Sequence, residues 1–221
     1  ASRAALDEAA VVYGALSDPS GLAEVQRMRG FDALLRHDYA GAVTFLEDAL
    51  ERFEALGDRR GVGWAMQNLA WCAFYSGRPD DAEARLRTAA AAFEELGDTA
   101  GVGWAVGLLA WTRFQQGYSL EAEEMALTII DDVRRRNDRW ALGMMLVLIG
   151  SVRLWTGRAT QAVDCLTQAR DLFIEIDDVQ GRFQSGVVLG RALIASGRVE
   201  EGLALLPGLD EVLRDEAPVE N

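Results

Sequence analysis

A chain of 221 residues, half of them apolar, is long enough to bury a substantial core and too apolar to be disordered by composition. Its formal net charge of −13 opposes binding to phosphate backbones and anionic membranes, both of which reward fields of Lys and Arg. Nearly nothing alternates with period two, so strands are excluded in favour of helices.

The first element is a lone helix within residues 1–20. AALDEAAVVYGALSD (4–18) matches TFLEDALERFEALGD (44–58) forty residues on, with Leu6 over Leu46, Ala9 over Ala49 and Tyr13 over Phe53. It reads as the trailing helix of a truncated repeat, and the chain as a fragment of a larger protein. Repeats follow at 21–60, 61–100, 101–140, 141–180 and 181–214. The period shows in columns: Gly77, Gly117, Gly157, Gly197; Asp58, Asp98, Asp138, Asp178; Phe53, Phe93, Val133, Phe173, Leu213; and Gly21, Gly61, Gly101, Ala141, Gly181. Each repeat reads as two helices, A and B. In 61–100, GVGWAMQNLAWCAFYS is helix A and stops at Gly77. Pro79 and two acids open helix B, Gly97 stops it, and Asp98 is placed to cap the next helix A. Arg134, Arg135 and Arg136 read as a helix C-terminus. Pro207 inside the last helix B should kink it, and 215–221 reads as a frayed tail.

Small residues at set spacing carry a family resemblance. Leu69-Ala70 are followed by Ala82, Leu86 and Ala89; Leu109-Ala110 by Ala122 and Ala126; Ile149-Gly150 by Ala162, Leu166 and Ala169; Leu189-Gly190 by Gly202 and Leu206. This pattern resembles the tetratricopeptide repeat, in the 40-residue variety of kinesin light chains and large bacterial regulators. Two features depart from it: the aromatic usual three residues before the Leu is replaced by Met66, Val106, Leu146 and Gly186, and the proline that usually closes helix B is missing. HEAT and armadillo repeats have a similar length but fit the Ala/Gly columns less well. The resemblance implies an all-α fold, a right-handed α-α superhelix of antiparallel pairs forming one solenoid over 1–221, with the A helices lining its concave surface.

GVGWAMQNLAW (61–71) recurs as GVGWAVGLLAW (101–111). At about 100° per residue, Val62, Ala65, Met66 and Leu69 fall on one side and Trp64, Trp71 and Tyr75 on the other. The second copy divides likewise, with Trp104 and Trp111 away from Val102, Ala105, Val106 and Leu109. The resemblance turns this stripe toward the concave groove, whose expected binding residues are Phe31, Trp64, Gln67, Trp71, Tyr75, Trp104, Trp111, Gln115, Met144, Trp155 and Arg191. An apolar face opposite the core calls for a partner. The rival readings are that neighbouring A helices or a second copy of the chain cover it.

Catalytic chemistry is not legible. His37 is the single histidine and stands where other repeats have a turn glycine. Cys72 and Cys165 lie in different repeats, so no metal-ligand spacing exists, and no cofactor is expected. GVG has neither a preceding strand nor a following Lys-Ser/Thr, so it is not a phosphate loop. The pairs Asp80-Asp81, Asp131-Asp132 and Asp177-Asp178 fall at helix ends, where capping and solvation account for them. No apolar run reaches the roughly 18–20 residues of a membrane span, the start lacks a signal-type apolar stretch, and two cysteines are too few for a disulfide framework, which suits a cytoplasmic protein with reduced thiols. The resulting expectation is a non-enzymatic module that binds a protein or peptide through an aromatic concave groove, as part of a larger bacterial regulatory protein. The alternatives are a homodimerisation or scaffold module, or a sensor for a signalling peptide or small apolar ligand, as in quorum-sensing receptors. The partner should carry an apolar anchor and be neutral or basic; nucleic acid and membrane are not expected partners of this fragment.

Overall fold

The computed structural model describes residues 3–206, and the expected kink at Pro207 and the tail 215–221 lie outside them. Eleven helices and no strand occur among the described residues, the all-α class read from the sequence. They are α1 (Arg3–Ala15), α2 (Pro19–Leu35), α3 (Tyr39–Leu56), α4 (Arg59–Tyr75), α5 (Pro79–Glu95), α6 (Thr99–Gln115), α7 (Ser119–Arg135), α8 (Arg139–Trp155), α9 (Ala159–Glu175), α10 (Val179–Ala195) and α11 (Val199–Leu205). The chain forms two compact units, Ala1–Gln116 with α1–α6 and Gly117–Asn221 with α7–α11. In both, consecutive helices pack against each other as antiparallel pairs.

Every turn is built alike. A residue in the left-handed region stands between helices at Gly57, Gly77, Gly97, Gly117, Gly157 and Gly197, and also at Ser17, His37, Asn137 and Asp177. Glycine takes that conformation without a Cβ clash, and Asn and Asp tolerate it best among the rest. Two kinds of helix start then alternate. The even-numbered helices and α3 open on an aspartate whose carboxylate accepts from the backbone N–H three residues on: Asp18 from Gly21, Asp38 from Gly41, Asp58 from Gly61, Asp98 from Gly101, Asp138 from Ala141 and Asp178 from Gly181. Helices α5, α7, α9 and α11 have no side-chain cap; α5 relies on Pro79 with Asp80 and Asp81, α7 on Glu121, and α11 on Glu200 and Glu201.

The glycine and aromatic columns turn out to be one device. In the first unit, Phe93 of α5 lies between Gly63 of α4 and Gly101 of α6. A Cβ on those glycines would fall 2.9 Å and 2.5 Å from the ring. Phe53 of α3 rests on Gly61 in the same way, a Cβ there falling 2.2 Å from it, and shares a buried cluster with Ala23 of α2. In the second unit Phe173 of α9 sits between Gly143 of α8 and Gly181 of α10, at 2.7 Å and 2.3 Å. GVG is therefore a double seat: Gly61 receives the ring of the preceding repeat and Gly63 the ring of its own. Where the aromatic column shrinks to Val133, the facing column has Ala141 instead of glycine.

A second set of columns joins helix B to the next helix A, at two seams through hydrogen bonds. In the first unit Glu83 of α5 accepts from Arg113 of α6 at 3.0 Å and from Gln116 at 3.0 Å. In the second unit, forty residues on, Glu123 of α7 accepts from Arg153 of α8 at 2.8 Å and from both nitrogens of Arg158, at 3.2 Å and 2.5 Å. Arg153 also donates to the Sγ of Cys165 at 3.1 Å. Burial pushes the Glu123 carboxyl up, but hydrogen bonds and charge from Arg158 and Arg153 outweigh it and hold the group below the usual carboxylate range. Glu83 is lowered by its bonds to Arg87 and Gln116. The same two columns read Val43 with Ala73 before these clasps and Val163 with Leu193 after them, so the outer seams are apolar and the inner ones charged.

Two outcomes are expected. Ala in place of Gly101 gains about 0.5–1 kcal/mol of helix propensity but must displace a ring 2.5 Å away, an overpacking of roughly 1–3 kcal/mol, so Gly101→Ala should lower the melting temperature. Combined with Phe93→Val, it should cost clearly less than the two single changes summed, the Val133/Ala141 solution; strict additivity in the melts would disprove the wedge. The clasp carries a sign as well. A carboxylate whose folded pKa lies below its unfolded value stabilises the fold above the unfolded pKa, near 4.5, and that contribution disappears as pH falls through the folded value. As pH falls below about 4.5, wild-type should lose stability more steeply than Glu123→Gln, as read from thermal melts across a pH series.

Candidate binding face

The sequence divides an A helix into a core side and a groove side, but α4 is enclosed more fully than that. It contacts α3 and α5 and also the neighbouring A helices α2 and α6. Gly61, Gly63, Ala65, Gln67, Asn68, Leu69, Ala70, Cys72 and Ala73 are all buried, while Val62, Trp64, Met66 and Trp71 are half-buried. Gln67, expected in the groove, is 2% exposed and belongs to the interior. Flanking A helices leave α4 only a narrow open strip, and the position about 40° from Trp71 falls under them.

The tryptophans divide by role. Trp64 turns edge-on to the wedged ring of Phe93, with centroids 5.0 Å apart, so it extends the core. Trp71 packs against the buried cluster of Ala33, Leu34, Ala42, Leu46, Leu69 and Cys72, as does Phe31. Its ring stacks on Tyr75 at 5.4 Å, and Tyr75 stacks in turn on Tyr39 at 5.7 Å. His37 completes the row edge-on, its Nδ1 3.0 Å from the Tyr39 hydroxyl. Centroids at these separations mean offset stacking, so each ring covers its neighbour only in part and Tyr75 remains 49% exposed. Burial, then the neighbouring Tyr39, pushes the Tyr75 phenol up, and burial pushes the Cys72 thiol to about 11, so both stay protonated at neutral pH.

On α6, Trp104 and Trp111 are half-buried and Gln115 is exposed; Trp111 meets Phe114 edge-on at 6.2 Å. Nδ2 of Asn68 on α4 and the indole Nε1 of Trp111 on α6 are buried atoms without an acceptor among the described residues. Asn68 itself is 3% exposed. In the second unit, Met144 is half-buried on α8, Trp155 ends α8 at 72% exposure, and Arg191 is exposed on α10. Tyr39 and Asn68 were missed in the sequence, yet each left a signal. Tyr39 stands in a column with Pro79, Ser119, Ala159 and Val199, and Asn68 is the one polar residue in a column of Met28, Leu108, Leu148 and Val188. No cluster of three or more His, Cys, Asp or Glu able to hold a metal occurs among the described residues, and no described helix is long and apolar enough to cross a membrane.

Residues 21–95 match the family model described as Tetratricopeptide repeat. No curated protein matches the sequence. Solved structures do match in fold. BtubC (BKLC) from P. vanneervenii is 16% identical with a TM-score of 0.74, over 98% of this chain and 89% of that one. NprR in complex with its cognate peptide NprX is 17% identical with a TM-score of 0.74, over 96% of this chain but 61% of NprR, so this chain spans less than two thirds of that protein. A kinesin light chain from Podosopora anserina with nearly identical TPR-like repeats is 17% identical with a TM-score of 0.62, over 90% of this chain and 98% of that one. Residues 21–95 are thus similar in sequence to tetratricopeptide repeats, and nearly the whole chain shares its fold with these structures, one of them built of TPR-like repeats.

Proposed function

We propose that the first unit is the peptide-binding part of a regulatory protein, and that it holds a segment against the aromatic strip of Trp71, Tyr75 and Tyr39. The observation that carries this reading is the stacked row of Trp71, Tyr75 and Tyr39, in which the Tyr75 ring is 49% exposed. Trp71 and Tyr75 then receive an apolar side chain, in keeping with the enrichment of Trp and Tyr at binding hot spots. The net charge of −13 favours a neutral or basic ligand. NprR, similar in fold, was solved with a peptide, which supports this class of ligand. Trp104, Gln115, Phe31, Met144, Trp155 and Arg191 belong to the same proposal as contributors to the lining of their own units.

Tyr75→Ala is the sharpest test, because this ring is 49% exposed and its loss leaves the buried side of α4 intact. The change should weaken capture of an apolar-anchored peptide about tenfold or more, followed by tryptophan fluorescence, with little change in melting temperature. Trp71→Ala should weaken it at least as much. A folded Tyr75→Ala protein that still binds at full strength would sink the proposal.

A further inference from the structure

The seam between α9 and α10 reads Val163 with Leu193 at one end, but the rest of it is not apolar. Arg170 stands seven residues after Val163 on α9, and Gly186 seven before Leu193 on α10, so each lies on the stripe that faces the other helix. Arg182, four residues before Gly186, shares that face of α10. The ring of Phe173 against Gly181 fixes the register of the two helices. They run antiparallel, so Arg170, one turn before Phe173, falls opposite the stretch of α10 between Arg182 and Gly186. In the first unit the same three columns hold Leu50, Val62 and Met66, and Leu50 and Val62 pack against one buried cluster. Ala90 with Val102 and Val106, and Ile130 with Leu142 and Leu146, keep the apolar pattern.

Two things are lacking where the pattern breaks. One is packing. Gly186 is buried, yet a Cβ there would meet no packed side chain within 4 Å among the described residues. At Gly143, Gly150 and Gly181 a side chain would stand 2.7 Å, 2.5 Å and 2.3 Å from the added atom. Those glycines make room for a ring or a leucine, whereas Gly186 leaves a gap. The other is charge. Arg170 is half-buried and Arg182 exposed, and neither has a hydrogen bond or ion pair among the described residues. Acids outnumber bases 35 to 22 in the chain, and Arg113, Arg153 and Arg158 of the charged seams all find a glutamate, so the two without one stand apart. A half-buried guanidinium in an apolar column lacks an anion, and its planar fork of donors matches the oxygens of a carboxylate or phosphate.

We propose that the α9–α10 seam is a binding site for a small oxyanion, a carboxylate or phosphate group on a short apolar stem. Arg170 and Arg182 hold the oxygens, and the gap beside Gly186 takes the stem. The site lies within the second unit and does not depend on the aromatic strip of the first.

Thermal melts of the whole chain at neutral pH and constant ionic strength, with chloride exchanged for butyrate or for inorganic phosphate, test the proposal. At several times its Kd the bound anion should raise the melting temperature of wild-type by about 2–4 °C. Arg170→Leu, which installs the residue of the first repeat, should lose the rise with both anions. Gly186→Met fills the gap and should lose the rise with butyrate. Circular dichroism confirms that both variants fold. General salt effects act on wild-type and variants alike, so the difference belongs to the site. Arg191→Ala, on the opposite side of α10 from Arg182, should keep the full rise. A larger rise with butyrate assigns the site to carboxylates, and a larger rise with phosphate to phosphate groups. A wild-type rise no larger than that of Arg170→Leu, a butyrate rise that survives in Gly186→Met, or a rise lost equally in Arg191→Ala would overturn the assignment.

Discussion

An aromatic ring on helix B, held in α5 and α9 between glycines of the A helices before and after it, is the contact on which the rest of this structure depends. Phe93 between Gly63 and Gly101, and Phe173 between Gly143 and Gly181, join three consecutive helices through one side chain. The seat works only because the backbone itself forms its walls, which fixes the spacing of the helices before any other side chain contributes. Most other regularities follow. The helices start every twenty residues because each must present its ring or its glycine at the same height, and the aspartate caps sit three residues ahead of the glycine that receives the ring. The seat also explains why the A helices are rich in glycine despite its poor helix propensity, of about 0.8–1.0 kcal/mol relative to Ala.

The same contact decides where an aromatic face can exist. Because the rings pull A helices together, α2, α4 and α6 touch, and most of α4 disappears from the surface. What remains is a strip at the C-terminal end of α4, where Trp71 and Tyr75 stack with Tyr39. On the other side the B helices are held apart, and a groove between α3 and α5 is the result. One packing rule thus closes one surface and opens the other.

The fold was legible in the sequence because it is written in columns, and columns at a fixed period report neighbours. The binding face was less legible because a helical wheel knows only one helix. It put Gln67 beside Trp71 correctly in angle, but the burial of Gln67 comes from flanking helices that the wheel does not contain. It made Trp64 and Trp71 equivalent, whereas Phe93 takes Trp64 and Tyr75 takes Trp71. Tyr39 lies on another helix and could not enter the wheel at all. Asn68 was visible as a polar outlier in an apolar column, and the charged seams as paired columns. Both needed a comparison between repeats at single positions, a finer reading than the search for the period itself.

The charged and apolar seams make the repeats non-interchangeable. Repeat 61–100 enters its seam with Ala73 and leaves with Glu83, so a tandem copy of it would set a glutamate against an alanine. Repeat 141–180 enters with Arg153 and leaves with Val163, and a copy of it would strand an arginine against a valine. Repeat 101–140, with Arg113 on one side and Glu123 on the other, matches itself through charge, as 21–60 does through the apolar Ala33 and Val43. A gene could gain or lose whole copies of that unit, and every junction would still pair an acid with a base. The charged part of the array is therefore extensible at 101–140, so that unequal recombination could change its length without leaving a charged seam mismatched.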